Sequence, residues 1–224
     1  MIGGAGTVVV ATKNAGKVKE FAHAFAPMGL RVRSMFDYEG LPDIAEDGLT
    51  FADNARIKAR AVAEALGMPA LADDSGLEVE ALGGAPGVYS ARYAGEDAND
   101  ARNNAKLLAE LDRLTALPEE GGPGQLPAGV QALSRARFVC ALALYDPANR
   151  IFREAAGYAD GWVIDRPLGE GGFGYDPLFW VPAFGRTMGQ LSTEEKQTIS
   201  HRGRALAKLL AELSGSWARR PKPE

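Results

Sequence analysis

The feature that most constrains the fold is a run of apolar, β-branched residues that leads directly into a helical pattern. Residues Thr7 to Thr12 read TVVVAT, which is typical of a buried strand. After a short polar turn, apolar residues recur at helical spacing from Val18 to Phe25. A strand and a helix joined by so short a turn are typical of α/β folds, in which helices cover a sheet.

The same two periodicities return along the chain. Three further segments are predicted as strands, and the last two of them suit an antiparallel pair: residues 69–72, 137–145 and 151–159. Three further segments are predicted as helices: residues 51–66, residues 101–111 and the stretch after Ser200. Asn14, Thr50 and Ser200 stand just before helical patterns, where their side chains can cap a helix.

Strands and helices mix without an internal repeat, which predicts one α/β domain over residues 1–224 with a mixed, twisted sheet flanked by helices. Residues 117–136 are rich in Gly and Pro and are predicted to form a flexible insertion without chemistry of its own. Cys140 lies in the apolar run FVCALALY, so we expect a buried, inert thiol.

The balance of charge narrows the classes of function. The chain has 25 Lys and Arg against 29 Asp and Glu, a net charge of −4. This balance argues against non-specific binding of nucleic acid as the main activity. Neither an 18-residue apolar run nor a signal pattern is present, so we expect a cytoplasmic protein that does not bind membranes.

The stretch TKNAGK, Thr12 to Lys17, lies where the first predicted strand ends and the first helix begins. It departs from a P-loop because Ala11 and Val18 replace the first glycine and the Ser/Thr of that motif. Free N–H groups at a helix N-terminus and a lysine nevertheless favour an anion. A plain turn with a solvated lysine explains the same residues, and the stretch alone slightly favours it.

The stretch ADDSG places Asp73 and Asp74 at a predicted strand end, where neighbouring side chains point in different directions. A carboxylate there could hold magnesium or orient a water molecule. Asp-Asp-Ser-Gly is also ordinary turn composition, and alone that explanation is the better one.

The stretch GGFGYDP, residues 171–177, flanks two aromatic residues with glycines. Pro177 occupies the last glycine position of G-x-G-x-x-G, so this is not a dinucleotide fingerprint. Glycines beside Phe173 and Tyr175 suit a backbone that approaches a planar ligand closely. A tight, aromatic-packed loop is the structural alternative.

The stretch STEEKQTISHRG, residues 192–203, is the hardest of the four to explain by packing. Ser200 is predicted to cap the last helix, which puts His201 and Arg202 in its first turn. Cations there oppose the helix dipole. A bound anion would resolve that conflict.

Together the four stretches, with Glu46 outside them, supply cations for a polyphosphate, carboxylates for a metal ion and rings for a base: Lys17, Lys196 and Arg202; Glu46, Asp73 and Asp74; Phe173 and Tyr175. No Cys/His cluster indicates zinc, and no G-x-S-x-G elbow indicates a serine hydrolase.

The motifs ATKNAGKVKEF, EDGLTFADNARIKA, PALADDSGLEVEALGGAPGVYSARYAGE, GGFGYDPLF and EEKQTISHRGRAL occur in this order. Together they closely resemble the inosine/xanthosine triphosphate pyrophosphatases, over nearly the whole chain. The resemblance implies magnesium-dependent hydrolysis of ITP, dITP and XTP to the monophosphate and pyrophosphate, which cleanses the nucleotide pool. It also implies a homodimer of two-lobed α/β subunits, with the active site in the cleft between the lobes.

The resemblance also assigns roles by position. Asp74 matches the proton acceptor and a metal ligand, and Glu46 matches a second metal ligand, although Asp43 stays possible. The remaining matches are substrate contacts: Thr12, Lys13, Asn14, Ala15, Gly16, Lys17, Ser75, Phe173, Gly174, Tyr175, Asp176, Lys196, His201 and Arg202.

Selectivity would rest on the 6-keto group of the purine, because donors that await O6 would face a donor in adenine. How guanine is rejected, and how ITP, dITP and XTP rank, stay open. Two other functions stay open as well: a nucleotide kinase, and a nucleotide- or RNA-binding module without catalysis.

Overall fold

The computed structural model describes residues 7–114 and 122–217. Within them, seven strands form one open sheet in the order β2-β1-β3-β4-β5-β6-β7. The strands are β1 Thr7–Val10, β2 Arg31–Ser34, β3 Ala70–Val79, β4 Ala132–Asp146, β5 Ile151–Ile164, β6 Phe179–Val181 and β7 Arg186–Thr187. The α-helices are α1 Ala15–Phe25, α2 Phe51–Leu66, α3 Asp100–Asp112, α4 Thr193–Ile199 and α5 His201–Trp217.

The sheet is mixed, which confirms the predicted α/β class. Strand β1 pairs in parallel with β2 and β3, whereas β6 pairs antiparallel with β5 and β7. Val8, Val9 and Val10 are all buried, as expected of a parallel strand that is covered on both faces.

The chain divides into two compact units. The first comprises residues up to Asp74, residues 140–157 and residues from Ser200 onward. The core of the first unit contains the valines of β1, the phenylalanines of α1 and the leucines of α5: Val8, Val10, Phe21, Phe25, Leu206 and Leu209. Cys140 is buried in this core, as predicted.

The second unit comprises residues 75–139 and 158–199. Its main core packs leucines of α3 against β3, β4 and β6, and contains Leu77, Leu107, Leu111, Phe138, Tyr175 and Phe179. Trp162 and Trp180 form a smaller apolar cluster in the same unit. None of the helices in the described ranges is long and apolar enough to span a bilayer.

The predicted helix caps are present. The side chain of Asn14 accepts a hydrogen bond from the N–H of Lys17, and Thr50 caps α2 in the same way. The hydroxyl of Ser200 accepts a hydrogen bond from the N–H of Gly203 at 3.0 Å, in the first turn of α5. Side-chain capping satisfies N–H groups that have no partner within the helix.

Two predicted boundaries were wrong. The strand predicted to end at Ala72 continues to Val79, because Leu77 and Val79 alternate into a core beyond the polar residues. The insertion predicted over residues 117–136 ends earlier, because Ala132 begins β4 and Ser134 and Ala136 face inward. The part of that insertion before residue 122 lies outside the described residues.

Candidate active site

The turn between β1 and α1 is held by its own side chains. The hydroxyl of Thr12 accepts a hydrogen bond from the N–H of Asn14 at 3.1 Å, and the side chain of Asn14 caps the helix. Ala15 and Gly16 are the first residues of α1. Lys13 is exposed, and its ammonium lies 3.9 Å from the carboxylate of Asp43, which is also exposed; such a pair contributes little to stability.

Lys17 points inward rather than to solvent. Its ammonium contacts the carboxylate of Asp73, and its side chain is only 14% exposed. The explanation of this residue as a solvated lysine is therefore wrong. The first turn of α1 thus presents a partly buried cation beside a helix N-terminus, which is a favourable environment for phosphate.

The carboxylate of Asp73 is fully buried and forms ion pairs with two cations, Lys17 and Arg202. The guanidinium Nε of Arg202 lies 2.8 Å from Oδ2, and the thiol of Cys140 donates to the same oxygen at 3.1 Å. Burial alone would raise the pKa of Asp73, but the charges of Arg202 and Lys17 outweigh it and hold that pKa well below its usual range. These partners leave Asp73 a poor candidate for the metal ligand considered above.

Arg202 lies in the first turn of α5 and is almost completely buried. Its Nη1 lies 2.5 Å from the carboxylate of Glu20, in addition to its contacts with Asp73. We expected a bound anion to offset the unfavourable position of this cation near the helix N-terminus. The carboxylates of Asp73 and Glu20 offset it instead, because they lie within direct contact.

Asp74 belongs to a second charged cluster. Side chains of successive strand residues point to opposite faces, so Asp74 turns away from the partners of Asp73. The ammonium of Lys58 lies 2.7 Å from Oδ1 of Asp74 and 2.9 Å from Oε2 of Glu46. The side-chain amide of Asn54 donates to Oδ2 of Asp74 at 3.3 Å. We call Glu46, Lys58 and Asp74 the carboxylate cluster.

Charge and burial shift the pKa values of the carboxylate cluster in different directions. Burial raises the pKa of Asp74, and Lys58 offsets this only in part. Burial would also raise the pKa of Glu46, but the Lys58 ammonium outweighs it and the pKa is lowered. Burial would lower the pKa of Lys58, but Asp74 and Glu46 raise it, so this lysine keeps its proton.

The carboxylate cluster fits magnesium that arrives with a phosphate ligand. Two carboxylates already converge on one cation, the Lys58 ammonium. Mg²⁺ typically takes one or two protein carboxylates and completes its shell with substrate phosphates and water. Within the described residues no group of three or more His, Cys, Asp or Glu could hold a metal alone, so the phosphates would have to contribute. Glu46 rather than Asp43 lies beside Asp74.

The aromatic loop of the second unit is built around Asp176. Its Oδ2 accepts hydrogen bonds from the ammonium of Lys196 at 2.8 Å and from the N–H of Phe173 at 3.2 Å. Lys196 is buried. A Cβ at Gly172 would overlap both charged groups, so only glycine fits there. Lys196 therefore belongs to this loop rather than to the cations around Asp73.

The two aromatic residues of this loop have different environments. Tyr175 is 4% exposed, and its hydroxyl donates to the carbonyl of Ser90 at 2.9 Å. Burial raises the pKa of Tyr175, so its hydroxyl stays protonated. Phe173 is half-buried. Phe173 is thus the residue of the pair that can offer a ring face to a ligand, whereas Tyr175 anchors the loop.

Ser75 and His201 are two further residues that are predicted to contact the substrate. Ser75 is half-buried in β3, and His201 is buried in the first turn of α5. Their contacts with substrate stay predictions.

Several residues of the site were missed by sequence reasoning. Lys58 and Asn54 lie one turn apart on α2, on the same buried face as Ala55, Ala59 and Val62. A lysine and an asparagine at core positions of an amphipathic helix are the signal that could have found them. No sequence feature distinguishes Glu20, which pairs with Arg202, from an exposed glutamate on α1.

Known proteins resemble this chain over at least nine tenths of its length. A model of the Ham1 family matches residues 8–212. The dITP/XTP pyrophosphatase of Geobacillus kaustophilus is 53% identical over 203 residues, which cover 90% of this chain and 91% of that protein. That of Desulforamulus reducens is 50% identical over 203 residues, covering 91% and 93%. The solved Ham1 protein of Staphylococcus aureus is 40% identical, with a TM-score of 0.76 over 94% of this chain and 99% of that one.

Proposed function

The chain belongs to the Ham1 family, and from this premise we propose that it hydrolyses ITP, dITP and XTP to the monophosphate and pyrophosphate. Relatives at about half identity are named dITP/XTP pyrophosphatases, which confirms the resemblance drawn from the sequence motifs. These names favour neither a kinase nor a binding module without catalysis. The protein is an enzyme that acts on nucleoside triphosphates.

The carboxylate cluster is the observation that carries the proposal. A nucleotide-binding module would gain nothing from two carboxylates, because they repel phosphate unless cations intervene. A hydrolase uses the same groups to bind a metal ion and to orient water. Lys58 pairs with both carboxylates and balances one of their two negative charges, which lowers the cost of burying them.

In the proposed reaction Asp74 orients or deprotonates the water that attacks the α-phosphorus. The raised pKa of Asp74 makes it a stronger base than an exposed aspartate. Pyrophosphate then leaves from the side opposite to the water. Lys58 and Lys17 are two cations of the first unit that can stabilise the charge on the phosphate oxygens.

We propose that Glu46 and Asp74 hold magnesium. The ion, when bound, would neutralise phosphate charge and acidify water. Lys17 acts independently of the metal. It can exchange its contact with Asp73 for a phosphate oxygen, because Asp73 keeps Arg202 as a partner.

We propose that Phe173 stacks on the purine and that Lys196 donates to its O6 rather than to a phosphate, because Lys196 and the N–H of Phe173 share Oδ2 of Asp176 as their acceptor. A 6-keto purine accepts this hydrogen bond, whereas the 6-amino group of adenine presents a donor to it. Arg202 binds Asp73 and Glu20, which supports a role in holding Asp73. Its predicted contact with the substrate stays a prediction. A homodimer and a cytoplasmic location are proposals that rest on the family resemblance.

A substrate panel tests this function. Pyrophosphate release would be measured from ITP, dITP, XTP, ATP and GTP, each with and without magnesium. We expect magnesium-dependent release from the first three and far slower release from ATP. Equal rates with all five nucleotides, or release of orthophosphate alone, would contradict the proposal.

A further inference from the structure

Two residues of helix α3 hold the peptide groups of Gly174. The carboxylate of Asp100 accepts a hydrogen bond from the N–H of Gly174 at 2.7 Å. The side-chain amide of Asn104 donates to the carbonyl of Gly174 at 3.1 Å. Asp100 and Asn104 stand one helical turn apart and share a face of α3. One helix therefore hydrogen-bonds to both peptide units beside Gly174. We call this pair of contacts the Gly174 clamp.

The Gly174 clamp controls the residue before it. Gly174 has φ = +62°, a left-handed conformation that glycine adopts without strain. Phe173 is already tied to Asp176, which accepts from its N–H at 3.2 Å and donates to its carbonyl at 3.3 Å. With Gly174 fixed as well, the backbone on both sides of the Phe173 Cα is fixed, and this sets the direction of the Cα–Cβ bond that carries the ring.

Packing alone does not explain the Gly174 clamp. Asp100 is exposed, and a surface carboxylate does not need a backbone N–H as its partner. Oδ1 of Asn104 is buried and accepts no hydrogen bond from the part of the chain that the structure describes. An unsatisfied buried acceptor is unfavourable. Its presence indicates that Asn104 is retained for the hydrogen bond that its amide nitrogen donates to Gly174.

We propose that Asp100 and Asn104 are positioning residues that hold the Phe173 ring in place for the purine. The inference rests on the proposed function, because it assigns these residues to the base site of that reaction. The Gly174 clamp does not touch the substrate. It reduces the freedom of the ring that does, so that the base binds a preorganised surface.

The variants Asp100→Ala and Asn104→Ala test the inference. Stacking acts on the bound substrate and on the transition state alike, so its loss raises KM with little change in kcat. We expect the KM for dITP to rise by about 5- to 10-fold in each variant, as for the loss of one hydrogen bond. The inhibition constant of inorganic tripolyphosphate, a competitor without a base, should stay unchanged.

The variant Asn104→Asp separates hydrogen bonding from packing. Aspartate has nearly the shape of asparagine, but it places a carboxylate against the Gly174 carbonyl. We expect a larger rise in KM than for Asn104→Ala. A smaller rise than for Asn104→Ala would show that the volume of the side chain matters and would overturn the inference.

Two variants of the same helix serve as controls. Asn99→Ala removes the cap of α3 and lowers its stability without touching Gly174, and Asp112→Asn removes an exposed charge at its other end. Both should keep the wild-type KM. The same rise in KM for Asn99→Ala would show that helix stability is the cause and would overturn the inference.

The outcomes also separate the inference from the function on which it rests. If the wild type releases pyrophosphate from dITP and both alanine variants keep its KM, the inference alone fails. It also fails if tripolyphosphate binding weakens in parallel with dITP binding. If the wild type releases no pyrophosphate from dITP, the proposed function fails and the inference fails with it.

Discussion

Asp73 and Asp74 are neighbours with different surroundings, because they point to opposite sides of β3. Asp73 contacts two cations, Arg202 and Lys17. Burial would raise its pKa, but these two charges outweigh burial and hold the pKa well below the usual range. Asp74 shares one cation with Glu46, and burial raises its pKa. At the scale of single residues, the surroundings of a carboxylate therefore separate a structural counterion from a candidate base.

The variant Asp74→Asn should abolish turnover while the protein stays folded. It preserves the shape of the side chain but removes the base and one negative metal ligand, and the loss of a general base alone lowers rates by about 10² to 10⁴. Pyrophosphate release and the unfolding midpoint measure the two effects. Near wild-type activity in a folded variant would remove Asp74 from the mechanism.

The variant Asp73→Asn should lower stability instead, because it leaves Arg202 and Lys17 buried with less negative charge. Breaking a buried ion pair costs about 3–5 kcal/mol. The folded pKa of Asp73 lies below its ordinary value of 3.8, so the carboxylate stabilises the protein fully above that value. This stabilisation is lost as the pH falls through the folded pKa.

Urea unfolding at neutral pH and at a series of acidic pH values measures the effect of Asp73→Asn. The difference from the wild type should be greatest at neutral pH and shrink below pH 3.8. Asp43→Asn is the matched control, because Asp43 is exposed and should matter little at any pH. An equal difference at every pH would mean that the charge of Asp73 does not matter.

At the scale of secondary-structure elements, helices place the charged groups and small residues let those helices approach the sheet. Helix α2 carries Asn54 and Lys58 on its buried face, and the first turn of α5 carries Arg202. Helix α5 lies against Gly157 of β5, where a Cβ would overlap the backbone of His201 and Ala205. The position of Arg202 therefore depends on a glycine in a neighbouring strand.

The variant Gly157→Ala should be destabilised by at least about 1–3 kcal/mol, as is typical of overpacked cores. The added methyl group meets backbone atoms, which cannot rotate away as a side chain can. Denaturant unfolding measures the loss. Gly122→Ala is the control, because no atom of the described residues lies within 4 Å of a Cβ there. Equal stability of the two variants would contradict the close packing.

At the scale of the whole molecule, the sequence predicts local features better than distant partners. The α/β class, the capping residues Asn14 and Thr50, and the buried Cys140 follow from periodicity and local chemistry. The sequence did not predict that β3 continues through its polar residues, because Asp-Asp-Ser-Gly is typical of a turn until the partners of the aspartates are known.

The ion pairs of the site show the same limit. Arg202 and Asp73 are 129 positions apart, and no periodicity relates them. Lys58 and Asp74 are nearer in sequence, but the pairing depends on which face of α2 is buried. Composition indicated that cations and carboxylates were available. The partners of each could be assigned only once the fold had brought them together.

The position of bond cleavage distinguishes attack on the α-phosphorus from attack on the β- or γ-phosphorus. The wild type would hydrolyse dITP in ¹⁸O-labelled water with magnesium present, and both products would be analysed by mass spectrometry. Attack on the α-phosphorus predicts that the label enters the deoxyinosine monophosphate and that unlabelled pyrophosphate leaves. Label in pyrophosphate would contradict attack on the α-phosphorus, and formation of the diphosphate and orthophosphate would contradict the proposed function itself.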